Sequence, residues 1–94
     1  MNKEKVAQRK LAALRRDIVT KDKEILHALA GRFKIVKQIG RLKNQVGLPI
    51  KDLAQEAKHE EIFLTKAKNL GISLGLASKL LRFIRLESIR MQKS

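Results

Sequence analysis

The feature that most constrains this chain is a helical apolar period that runs from about Glu4 to Asn44, nearly half of its 94 residues. Leu11, Leu14, Ile18, Ile25, Leu29, Val36 and Ile39 recur at steps of three, four and seven, with Lys, Arg, Gln, Glu and Asp between them as a solvated face. At ~1.5 Å per residue such a helix spans roughly 60 Å, beyond the diameter of a globule of this size. The remaining chain can form only helices about half as long, which cannot cover the stripe. A second copy of the chain is the simplest cover, so length and pattern predict a homodimer. Gly31 and Gly40 interrupt the period, each at ~1 kcal/mol relative to Ala, and a break at Gly31 is the structural alternative.

Val46-Gly47-Leu48-Pro49 contains the only proline and is the clearest turn signal. After it, Asp52 is a good N-cap, and Gln55 three residues on completes a variant capping box. Leu53, Ala57, Leu64 and Ala67 give a second stripe, closed by Gly71 at a C′ position. Ser73 caps a third helix, with Leu76, Leu80, Phe83 and Ile84 as its expected buried face. The chain therefore reads as all-α. Its helices are expected over about 4–44, 52–70 and 73–92, in one domain covering residues 1–94.

Three Phe and no Trp or Tyr leave the core to Leu, Ile, Val and Ala. The absence of Cys excludes a disulfide framework, a thiolate nucleophile and a Cys-based metal site. His27 and His59 lie far apart without ligand-like neighbours, so no metal site is expected. The charged start, Met1-Asn2-Lys3-Glu4-Lys5, precedes no apolar stretch of signal-peptide length. No run approaches the ~20 apolar residues of a membrane span. A soluble, cytoplasmic protein without a membrane partner is expected. Net charge is +13, from 22 Lys+Arg against nine Asp+Glu, which draws anions of any kind. Composition alone points first to nucleic acid and second to a small polyanionic substrate.

The positions of the charges reverse that order. Arg32, Val36, Ile39 and Lys43 stand at i, i+4, i+7 and i+11, and eleven residues at 100° return to within about 20° of the start. Arg32 and Lys43 therefore share the apolar stripe, ~16 Å apart along the axis. Cations on such a face either snorkel to water or bind an anion. Arg15 lies some 25 Å from Arg32 on the same helix, too far to share a small ligand within one chain. Antiparallel pairing of two long helices centred near residues 23 and 24 would bring Arg15 of one chain level with Arg32 of the other. Two symmetry-related sites follow. Ser88 and Gln92 are one turn apart on the third helix, as are Asp52 and Glu56 at the start of the second. Asp52 also reads as an N-cap, and Glu56 as a first-turn carboxylate favoured by the helix dipole.

Taken together these residues resemble the all-helical chorismate mutases. The run Leu11-Ala-Ala-Leu14-Arg15-Arg16-Asp17-Ile18, then Asp22, Leu29-Ala30-Gly31-Arg32-Phe33, Ile39-Gly40 and Lys43 is similar to their first helix. The likeness continues through Gly47-Leu48-Pro49-Ile50-Lys51-Asp52 and Glu56 to Glu87-Ser88-Ile89 and Gln92. The resemblance implies an intertwined six-helix homodimer that converts chorismate to prephenate in aromatic amino-acid synthesis, without cofactor or metal. It implies that Arg32 and the partner's Arg15 hold the substrate carboxylates, and that Lys43 and Gln92 donate to the ether oxygen. Glu56 would accept from the ring hydroxyl, Asp52 would assist at the start of helix two, and Ser88 would contact a carboxylate. Gln55 stands where many relatives have arginine, which puts one carboxylate contact in doubt. Gly31 replaces what is usually a better helix former.

Two alternatives stand beside this reading. An isochorismate pyruvate lyase of the same fold would keep the cationic clamp, but Glu56 argues for the mutase. A basic helical nucleic-acid binder accounts for the charge, but not for cations on the core stripe or for Gln92 in register with Ser88.

Overall fold

A computed structural model of the protein describes residues 2–93. It contains three helices, α1 (Lys3–Val46), α2 (Leu53–Asn69) and α3 (Leu74–Lys93). Each begins and ends on local chemistry. The Asn2 side chain accepts the Glu4 N–H at 2.8 Å and so caps the start of α1. Asp52 caps α2 by accepting the Gln55 N–H at 3.1 Å, and Ser73 caps α3 through the Leu76 N–H at 3.1 Å. The first two helices close on glycines with positive φ, Gly47 at 72° and Gly71 at 75°. There the Leu48 N–H reaches back to the Lys43 carbonyl at 2.8 Å, and the Ile72 N–H to that of Ala67 at 2.9 Å. These are Schellman closures, which need the left-handed conformation that glycine adopts without Cβ strain.

The capping box expected at α2 is only half made. Asp52 caps, but the Gln55 amide lies 2.9 Å from the His59 ring, one turn ahead, rather than returning to the cap. A partner at i+4 on the same face is within easier reach for this side chain.

The chain divides within α1 into two compact units, one running through Arg32 and the other from Phe33 onward. The helix itself is unbroken at Gly31. In the first unit Leu11, Leu14, Ile18 and Ile25 of the expected stripe are exposed, and Leu29 is half-buried. In the second, α2 packs on α3 through a connection of four residues, too short for any but antiparallel neighbours. Among its described residues Val36, Ala67, Ala77 and Leu81 are buried hydrophobic side chains, Ser88 is buried and polar, and Gly40 is buried as well.

The buried face of α3 differs from the expected one. Leu76, Leu80 and Phe83 are exposed, Phe83 by 68%, while Ala77, Leu81 and Ser88 face inward and Ile84 is half-buried. On α2, Ala67 is buried and Leu64 half-buried, whereas Leu53 and Ala57 are exposed. Apolar periodicity marks every face that avoids water, whereas a single chain buries only the face that its own helices reach. Close helix packing selects the small Ala77 side for that contact. No helix among the described residues is long and apolar enough to cross a membrane.

Candidate active site

The site is built around the place where α1 meets α3. Gly40 is buried, and a Cβ added to it would lie 2.9 Å from both Cα and the carbonyl O of Gln92. Only a residue without a side chain lets the two backbones approach so closely. Lys43 stands one turn after Gly40 on α1 and is half-buried. The Lys43 ammonium donates to the Ile50 carbonyl at 2.6 Å. The turn closed by Gly47 brings that carbonyl back toward α1. An ammonium has three donors, so Lys43 is oriented by this bond without being exhausted by it.

Gln92 is half-buried, and its Oε1 is buried with no hydrogen-bond partner among the described residues. An unmet buried acceptor such as this amide oxygen costs roughly 1–3 kcal/mol, so it marks a place where chemistry competes with stability. One turn before it, the buried Ser88 hydroxyl donates to the Ile84 carbonyl at 2.7 Å. The position three residues earlier is Arg85, which sequence reasoning missed. It is half-buried, and its guanidinium donates across the hairpin to the Glu56 carbonyl at 3.2 Å. Arg85, Ser88 and Gln92 stand at i, i+3 and i+7, one face of α3, and that register was the signal available in the sequence.

Glu56 is half-buried in the first turn of α2, while Asp52 and Gln55 are exposed at its start. The second unit therefore carries Lys43, Glu56, Ser88 and Gln92 on adjoining elements. Arg15, exposed, and Arg32, half-buried, belong to the first unit. Seventeen residues of helix separate these two arginines by roughly 25 Å. One chain therefore does not bring them together. A depression of about 370 Å³ is lined by Gly40, Arg41, Asn44, Leu48, Ile50, Gln92 and Lys93. It takes in Gln92 but not Lys43, Glu56 or Ser88, so it is not the space those side chains outline. Nearby, Arg90 donates to Glu87 through Nε at 3.0 Å and through Nη2. That hydrogen bonding holds the Glu87 carboxyl below the ordinary carboxylate range and raises the Arg90 guanidinium.

Residues 14–93 match the family described as chorismate mutase type II. The chain belongs to that family. All seven principal site residues expected from sequence, from Arg15 to Gln92, fall inside the matched span of this chorismate mutase domain. The T-protein of Haemophilus influenzae is 35% identical over 78 residues, covering 83% of this chain and 21% of that protein. The T-protein of Enterobacter agglomerans is 36% identical over 78 residues, with the same coverage of 83% and 21%. The chain thus spans about a fifth of the length of these curated relatives, 21% in each case. The family is one of chorismate mutases, the class that the residues of the sequence resemble.

Proposed function

We propose that this chain converts chorismate to prephenate in the cytoplasm as an intertwined homodimer of six helices, with two active sites shared between subunits. The observation that carries the reading is the close Gly40–Gln92 approach, with the half-buried Lys43 one turn from Gly40 and the buried Gln92 Oε1 without a hydrogen-bond partner among the described residues. The rearrangement is a [3,3]-sigmatropic shift. One C–O bond breaks as one C–C bond forms, with no proton transfer, nucleophile or cofactor in the step. What it asks of a protein is a compact substrate conformer and donors where charge develops.

Arg32 and the partner's Arg15 supply guanidinium groups suited to planar carboxylates, and clamping both ends brings the bonding carbons together. Lys43 and the Gln92 amide donate to the ether oxygen, whose negative charge is greater in the transition state than in the substrate. Glu56 accepts from the ring hydroxyl. Asp52 holds the start of α2 in place through its cap, and Ser88 contacts a carboxylate. Together these effects need to supply at least ~8 kcal/mol to reach the low end of enzymatic acceleration. The exposed Leu11, Leu14, Ile18 and Ile25 support a second chain as the cover of α1, and its Arg15 would arrive with it.

The direct test is disappearance of chorismate on mixing with the purified chain. Saturable conversion to prephenate supports the proposal. A folded chain that leaves chorismate at its uncatalysed rate would overturn it.

A further inference from the structure

Arg85 is a cation in an unusual position for a strongly basic chain. It is half-buried, its recorded bond is to the neutral carbonyl of Glu56, and no carboxylate among the described residues pairs with it. A guanidinium has five donors in a planar fork, and this one has committed a single nitrogen to the protein. Withdrawing such a group from water without an anion is unfavourable, and its planar fork suits one class of ligand above others, a carboxylate.

Its surroundings are those of the proposed site. Arg85 precedes Ser88 by one turn on the face that continues to Gln92, so the Cβ atoms of Arg85 and Ser88 are about 5–6 Å apart. Its bond to the Glu56 carbonyl fixes the guanidinium at the first turn of α2. Gln55, where a carboxylate contact was in doubt, has its amide turned to His59 at 2.9 Å and carries no charge. Arg85 thus presents a cation from α3 beside the place where α2 lacks one. The geometry points to Arg85 as a further substrate-binding residue, a guanidinium for the carboxylate that Ser88 contacts. This rests on the mutase reading given above, with its substrate a small dicarboxylate.

A purely structural Arg85 would staple α2 to α3 and do nothing else, and the choice of variants separates the two roles. Arg85→Gln retains a donor for the Glu56 carbonyl but removes the charge. Arg85→Lys retains the charge but loses the fork. Steady-state kinetics on chorismate, with a thermal melt of each variant, is the experiment. Loss of a charge-assisted bond to substrate should raise KM by ~10- to 100-fold in Arg85→Gln, with a smaller change in kcat and little change in Tm. Arg85→Lys should fall between that variant and the parent. Parental KM in Arg85→Gln, with Tm lowered or unchanged, would overturn the assignment while leaving the mutase reading intact. A parent chain that does not turn over chorismate would instead remove the mutase reading, and this inference with it.

Discussion

Replacing Gly40 by alanine tests the junction on which the site depends. The new methyl carbon would lie 2.9 Å from Gln92 Cα, 2.9 Å from its carbonyl O and 3.2 Å from its Cβ. Ordinary contact begins at 3.4 Å, so the two helices must part by about 0.5 Å at that point. The obstructing atoms belong largely to backbone, so no rotamer change relieves them. Overpacking of this kind costs about 1–3 kcal/mol. Alanine recovers ~1 kcal/mol of helix propensity, leaving a net loss of ~0–2 kcal/mol. Gly31→Ala supplies the control, because a Cβ there meets nothing within 4 Å. It should gain ~0.5–1 kcal/mol. The difference between the two variants, read by urea titration, should therefore be about 1–3 kcal/mol. Activity should separate them further. A misplacement of 1 Å can cost ~100-fold, so a shift of half that at Gln92 should lower kcat/KM by roughly 10-fold. Gly31→Ala should keep parental kcat/KM. If Gly40→Ala were as stable and as active as Gly31→Ala, the close approach of α1 to α3 would not be what positions Gln92.

Gln92→Glu should work in acid and lose kcat/KM as pH rises through the pKa of the new carboxyl, because only the protonated acid can donate to the ether oxygen. The parent should show no such loss, and the ionised variant should be slower by ~2.7–4 kcal/mol in barrier; equal rates at pH 8 would remove Gln92 from the ether oxygen. The Glu87 carboxyl is held below its ordinary range by Arg90, so its folded pKa lies under its unfolded one. Its contribution to stability is therefore present above the unfolded value and lost as pH falls through the folded one. Glu87→Gln should flatten that acid limb of a Tm-against-pH curve and leave neutral-pH kinetics unchanged; an identical acid limb would show that the pair adds nothing.

Local signals in the sequence carried most of the fold. Asp52 and Ser73 are caps, and Gly47 and Gly71 close helices, because each acts on backbone groups within one turn of itself. The helical period of residues 4–44 likewise needed no tertiary partner to be recognised. Tertiary choice was harder to read. Leu76, Leu80 and Phe83 have the same apolar signature as a core face, yet in one chain the smaller Ala77 side is the one buried. Gly40 read as an interruption with a propensity penalty, since its value lies in a contact with Gln92 across more than fifty residues of sequence. Among the candidate site residues, Lys43, Glu56, Ser88 and Gln92 were legible from register and from the family resemblance. Arg85 was hidden among 22 basic residues, and only its bond to the Glu56 carbonyl singles it out. The Gln55 side chain went to His59 rather than to the cap because two local partners competed for it.

The central claim is that each active site takes Arg32 from one chain and Arg15 from the other. Arg15→Ala and Arg32→Ala chains, each inactive alone, can be mixed under conditions that allow subunit exchange, and turnover of chorismate followed. A mixed dimer has one intact site and one doubly damaged site. With equal amounts and random pairing, activity should return to about one quarter of the parental level. No return of activity, in a mixture shown by mass spectrometry to contain the mixed dimer, would contradict the account.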